Sequence, residues 1–203
     1  MLGPRGTSAG MKVLLVHAHP RADSFSTALK DAAVAALESA GHQVMLRDLY
    51  AEGFNPVLSA AERGIYHDIP GNLAGIEADV AQLQSADALL LVYPTWWYGM
   101  PAILKGWFDR IWVPGVTFTL GAGAIEPALT NIKRIGVVTT YGSPLWLLWY
   151  LGWPDRRVLG SGIRRLCAKG CQLDWLYLTR MDQRGDADRR AFLARVSARL
   201  ARW

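Results

Sequence analysis

The chain has 203 residues, of which 51% are hydrophobic and 19% charged, and a formal net charge of +5. That composition excludes a disordered chain and fits one globular domain with a sizeable core. No apolar run reaches the ~18–20 residues that span a bilayer, and two cysteines, Cys167 and Cys171, are too few for a disulfide framework.

Charge is unevenly spread. Residues 1–132 carry 8 Lys+Arg against 12 Asp+Glu, and residues 133–203 carry 14 against 5. A basic half raises the question of nucleic acid or a membrane surface.

The first ten residues, MLGPRGTSAG, have no periodicity and read as a disordered leader, with residues 11–203 as one domain. The leader lacks the apolar core of a secretory signal, so a cytoplasmic location is expected. Residues 13–16 (VLLV) form a short apolar run, as expected of a strand buried on both faces. A polar loop leads into a helix from about Ser24, where Phe25, Ala28, Leu29, Ala32, Ala33, Ala36, Leu37 and Ala40 recur at helical spacing and Gly41 suits a C-terminal cap. Residues 43–49 read as a second strand, 50–72 as an excursion rich in turn residues, and 73–85 as a second helix. A third strand is predicted over 88–93 (ALLLVY), a third helix over 101–112, a fourth strand over 135–140 and a fifth over 173–179. Phe192, Leu193, Val196, Leu200 and Trp203 mark a closing helix.

Strand and helix alternate five times. The expected fold class is α/β, a five-stranded parallel sheet with helices on both faces. Ligands of such sheets lie beyond the carboxyl ends of the strands, where strand order reverses. The loops 17–24, 93–101 and 139–145 are therefore the ones to inspect.

The first loop reads His-Ala-His-Pro-Arg-Ala-Asp-Ser-Phe-Ser over 17–26. It enters a helix whose first amides are unpaired, a place that attracts an anion such as phosphate. Ser24 and Ser26 offer hydroxyls and His19 a ring N–H. The blander reading makes Ser24 an N-cap alone and packs His19 against the sheet. No glycine stands here, so neither the dinucleotide fingerprint nor the P-loop is present. The loop over 93–101, Tyr-Pro-Thr-Trp-Trp-Tyr-Gly-Met-Pro, sets three large aromatics between prolines. Such rings suit a flat conjugated ligand, and equally a dimer contact or a core plug. The loop over 139–143, Thr-Thr-Tyr-Gly-Ser, has small hydroxylated residues that let a ligand approach the backbone, or form an ordinary turn.

Four segments in order carry a resemblance: HAHPRADSF, DLYAEGFNPVLS, YPTWWYGMPAILKGWFDRIW and TTYGS. Over residues 12–142 the chain resembles the flavodoxin-like NAD(P)H:quinone oxidoreductases. That family includes mammalian quinone reductases, bacterial modulators of drug activity and potassium-efflux ancillary oxidoreductases. The resemblance implies a flavodoxin-like fold and a flavin, with the flavin phosphate held by His19, Ser24 and Phe25, and by Ser26 in place of the usual Asn. It places Pro94, Thr95, Trp96, Trp97 and Tyr98 along the isoalloxazine edge, and Thr139, Thr140, Tyr141 and Gly142 around the ring. Tyr141 replaces the first of two usual glycines and is expected to reshape the pocket. Phe118 and Thr119 fall where the family places substrate-contacting residues from a second subunit, which implies a homodimer.

One departure is large. Better-known members carry a Tyr and then a His beyond the fourth-strand loop, but no His follows His67 here. Leu147 or a neighbour holds the Tyr position, with Tyr150 close in sequence. No catalytic side chain is assigned beyond Tyr150 as a candidate, because hydride passes directly between nicotinamide and flavin.

The apolar stretch 145–153, LWLLWYLGW, is expected to act as a lid and dimer contact, with membrane-interface contact through Arg156, Arg157, Arg164 and Arg165 as the alternative. Cys167 and Cys171 read as core thiols, with no ligand set for a metal. The closing helix carries arginines without a nucleic-acid motif, so no nucleic-acid partner is expected.

The resulting expectation is a flavin-dependent NAD(P)H oxidoreductase reducing quinones in ping-pong order, with FMN favoured over FAD by the short chain. The alternatives are a regulatory subunit in contact with a membrane transporter and a flavodoxin-like electron carrier.

Overall fold

A computed structural model describes residues 10–121 and 123–203. All of the predicted leader except Gly10 lies outside the described residues. Five parallel strands form the central sheet: β1 (Lys12–His17), β2 (Gln43–Asp48), β3 (Ala88–Pro94), β6 (Arg134–Thr140) and β7 (Gln172–Leu178), in the order β2-β1-β3-β6-β7. A separate antiparallel pair, β4 (Phe118–Leu120) and β5 (Ile125–Pro127), stands outside that sheet. The chain steps outward from β1 to β2 and then crosses to β3 on the other side of β1. Strand order therefore reverses at the carboxyl ends of β1 and β3, the crevice where such sheets hold ligands.

The side chains of β1 and β3 alternate between two apolar layers, as a parallel sheet covered on both faces requires. On one face Leu14, Val16, Leu89 and Leu91 pack with α3 (Glu77–Ser85) and α4 (Ala102–Ile111), chiefly through Val80, Leu83, Leu104, Trp107 and Ile111. On the other, Val13, Leu15, Leu90 and Val92 meet α1 (Phe25–Ser39) and α7 (Asp186–Leu200) through Leu29, Ala33, Leu37, Val196 and Leu200.

Three differences from the predicted elements have physical causes. The helix expected over 73–85 begins only at Glu77, because Gly75 takes a left-handed φ of 80° and leaves residues 71–73 as a single tight turn. The excursion 50–72 contains a short helix, α2 (Ala60–Gly64), started by a capping box in which Ser59 and Glu62 exchange hydrogen bonds. The segment after β6 is helical in pieces: α5 (Leu145–Tyr150), α6 (Pro154–Arg157), then a wide turn and a tight one to Leu166. Gly106 lets the excursion lie against α4, since a Cβ there would stand 2.2 Å from the Pro56 carbonyl oxygen.

Candidate flavin site

Three loops meet at the carboxyl ends of β1, β3 and β6, and pairwise contacts tie them together. The Thr95 amide donates to the Thr140 carbonyl at 2.8 Å, which joins the loops after β3 and β6. The Ser143 hydroxyl donates to the Tyr98 hydroxyl at 3.4 Å across the same gap. The His19 and Trp96 rings lie 6.1 Å apart, which brings the loop after β1 to the same place.

The first loop builds a polar corner. Ser24 caps α1 by accepting the Thr27 amide at 3.1 Å, and its hydroxyl contacts Thr27 Oγ1 at 3.0 Å. Thr27 Oγ1 in turn donates to the Arg21 carbonyl, so the Ser24 hydroxyl is used within the loop. The next two amides, of Phe25 and Ser26, have no hydrogen-bond partner among the described residues. Beside them the Ser26 hydroxyl is 5% exposed and has no partner. A buried hydroxyl left unpaired costs roughly 1–3 kcal/mol, which an anion seated at the helix start would offset. His19 Nδ1 stands 3.1 Å from the Arg21 amide and 3.3 Å from the Arg21 carbonyl; in the tautomer that accepts the amide, Nε2 carries the ring proton and can donate. The Phe25 ring does not face this corner; it packs 6.4 Å from Phe192 in the core, so Phe25 contributes its amide alone.

The loop after β3 builds a wall. Trp96 and Gly99 exchange two backbone hydrogen bonds, at 3.1 and 3.0 Å, around a two-residue turn. Trp97 and Tyr98 occupy its centre with φ of 49° and 63°, a geometry that normally selects Gly or Asn. Trp97 is 96% exposed, so its ring gains nothing from packing within the chain. We expect Trp97→Gly to raise the stability of the flavin-free protein by about 0.5–1 kcal/mol, since strain of order 1 kcal/mol is relieved. Thermal unfolding checks this, and a lower midpoint would contradict it.

The loops after β3 and β6 frame a cavity of about 480 Å³ lined by Thr95, Trp97, Tyr98, Tyr141, Gly142, Ser143 and Asp182. Tyr141 turns its ring inward, buried against Trp153 and Tyr177, so it narrows the cavity floor without filling the space. Thr139 is buried with its Oγ1 3.0 Å from Thr95 Oγ1. Pro94 ends β3 and sets the direction of the wall. Sequence reasoning missed Asp182, whose carboxylate lies 3.0 Å from where a Cβ of Gly142 would stand. It also missed Asp155, buried beneath Tyr141. An acidic residue at the end of an apolar stretch was the available signal for Asp155.

Other expected residues lie apart. Phe118 and Thr119 are on the β4–β5 hairpin and do not line the cavity. Tyr150 is 82% exposed on α5. Both cysteines are free and buried. Arg199 of α7 pairs with Asp174 of β7, and Arg184, just before α7, pairs with Asp188 in its first turn. No helix among the described residues is long and apolar enough to cross a membrane.

Residues 11–154 match the family described as flavodoxin-like fold. The chain belongs to this family. It is 34% identical over 148 residues to the rat protein NAD(P)H dehydrogenase [quinone] 1, covering 65% of this chain and 54% of that relative. The chain thus spans about half the length of that relative. It is 34% identical over 177 residues to human ribosyldihydronicotinamide dehydrogenase [quinone], covering 70% of this chain and 74% of that one. Among solved structures it resembles an NAD(P)H:quinone oxidoreductase from Methanothermobacter marburgensis, with a TM-score of 0.81 and 28% identity over 95% of this chain and 98% of that chain. This flavodoxin-like chain therefore shares its fold with that oxidoreductase.

Proposed function

We propose that this flavodoxin-like protein is a flavin-dependent NAD(P)H oxidoreductase that reduces quinones or similar acceptors. The observation that carries the reading is the pairing of two unlike ends in one crevice. One end is an orphaned polar corner, with the Ser26 hydroxyl and the amides of Phe25 and Ser26. The other is a cavity walled by Trp97, Tyr98 and Tyr141. A flavin has that polarity: an anionic tail and a flat conjugated ring. One phosphate-sized corner suits FMN.

In this reading the Ser26 hydroxyl, the two amides and His19 Nε2–H hold the phosphate. Trp96, Trp97 and Tyr98 stand along the ring edge, and Thr139, Thr140, Tyr141 and Gly142 close the other side. Bound there, a flavin would supply two-electron hydride chemistry between a nicotinamide and an acceptor that use the site in turn. The chain's contribution is orientation and exclusion of water. The basic excess of residues 133–203 draws in the anionic NAD(P)H. The β4–β5 hairpin, with Leu120 and Ile125 exposed, supports a homodimer in which Phe118 and Thr119 reach the partner's cavity. Exposed Trp146, Trp149 and Tyr150 on α5 support the same contact and a lid over the acceptor.

The deciding experiment is denaturing extraction of the purified protein followed by chromatography, which distinguishes FMN from FAD. NAD(P)H oxidation with and without a benzoquinone then tests turnover. A colourless protein that binds no flavin on reconstitution overturns the reading.

A further inference from the structure

Asp155 lies beneath the loops after β3 and β6, in the first turn of α6, and is 2% exposed. Its Oδ1 accepts the Arg156 amide at 2.8 Å. Its Oδ2 accepts the Tyr141 hydroxyl at 2.8 Å. The Tyr93 and Thr95 hydroxyls stand further off the same oxygen, at 3.4 and 3.5 Å. Burial raises the pKa of this carboxyl above its ordinary 3.8, and hydrogen bonds from Tyr141, Arg156 and Tyr93, not a cation, act against that rise. Burial, and next the Asp155 charge, push both phenols up, so Tyr93 and Tyr141 remain neutral donors. Among the described residues, the titratable groups that contact the Asp155 carboxyl are Tyr93 from β3 and Tyr141 after β6; Arg156 reaches it through its backbone amide, while its guanidinium lies 5.9 Å from the Trp153 ring centre.

The arrangement has a direction. Thr95 Oγ1 lies 3.0 Å from Thr139 Oγ1 and 3.5 Å from Asp155 Oδ2. Each hydroxyl has one hydrogen to give. An ionised Asp155 takes the Thr95 hydrogen, which leaves Thr95 to accept from Thr139. A protonated or amide side chain removes that preference and frees the chain to run the other way.

We propose that Asp155 is a positioning residue of the flavin site. Through Tyr141 and Thr95 its carboxylate holds the loops after β3 and β6 together and sets which way the Thr95 and Thr139 hydroxyls point. This rests on the flavin reading above.

The test is FMN affinity, read by quenching of flavin fluorescence, across a pH series for wild type and Asp155→Asn. Wild-type affinity should fall on acidification, as the carboxylate takes up its proton. Asp155→Asn should bind about tenfold or more weakly and lose that pH limb. Thermal unfolding without flavin should move the opposite way. A raised pKa means that the folded chain binds this proton more tightly than the unfolded chain. Asp155's contribution to stability therefore falls as pH rises from 3.8 through the folded value, and Asp155→Asn removes that slope. Affinity and stability that change together with pH would indicate fold support alone and overturn the proposal.

If Asp155→Asn does not fold, Tyr141→Phe and Thr95→Val carry the test, because both keep the carboxyl and each removes one hydroxyl. Weaker FMN binding with little change in the flavin-free thermal midpoint supports the proposal, and unchanged affinity overturns it. Wild type that binds no flavin overturns the parent reading and the proposal with it. Wild type that binds flavin while the variants match it overturns the proposal alone.

Discussion

Trp107→Ala should destabilise the fold by about 3–5 kcal/mol, the range for deleting a large buried aromatic. Trp107 is 0% exposed. Its ring centre lies 5.2 Å from that of Phe108 and 5.3 Å from that of Trp112, and its Nε1 reaches Asp79 Oδ1 at 3.3 Å. Truncation opens a cavity among rings too large to collapse into it. It also leaves Asp79 with Arg47 as its remaining close partner, at 3.0 Å. A loss of that size is a large fraction of the roughly 5–15 kcal/mol that holds a domain folded. Because α4 follows the aromatic wall directly, flavin binding should weaken in the same variant. Urea unfolding of the flavin-free protein measures the loss. A value under about 1 kcal/mol would mean that Phe108 and Trp112 repack fully, against the stiffness expected of a closed aromatic cluster.

His19→Glu should weaken FMN binding by roughly 100-fold while leaving the fold nearly intact. The substitution replaces the Nε2–H donor with a carboxylate in front of the proposed phosphate corner. A charge-assisted hydrogen bond contributes about 1.5–3 kcal/mol, and like charges at ~4 Å repel by about 4 kcal/mol at an effective dielectric of 20. His19 is only half-buried, so solvent and salt reduce both figures, and about 3 kcal/mol is a fair net value. Stability should barely change, because the ring's own bond is local, to the Arg21 amide two residues on. Fluorescence titration with FMN at low and high salt is the measurement. Wild-type affinity in His19→Glu would place the phosphate elsewhere.

Strands β1, β3 and β6 were legible because each holds a short apolar run, β2 and β7 followed from their place in the alternation, and the three loops followed from the rule that parallel sheets present ligands at their carboxyl ends. What escaped had no local pattern. Strands β4 and β5 are three residues each and largely exposed, so they carry no period of two. Residues 145–166 change helical type from piece to piece, which erases the 3.6-residue period on which helix reading depends. Asp155 meets Tyr93 and Thr95 across separations of 62 and 60 residues, so its place under the loops is a product of the fold. Phe25 shows the converse limit. Its position in the first loop was plain, yet the direction of its ring was decided by Phe192 on the last helix.

The turn centred on Trp97 and Tyr98 has a consequence for the kinetics of ligand capture. Its strained backbone is closed by both Trp96–Gly99 hydrogen bonds, which the turn makes within itself. The wall is therefore preorganised, and a ring entering the crevice has no loop to fold there. Association at this wall should proceed in a single phase set by encounter, while differences among ligands emerge in how slowly they leave.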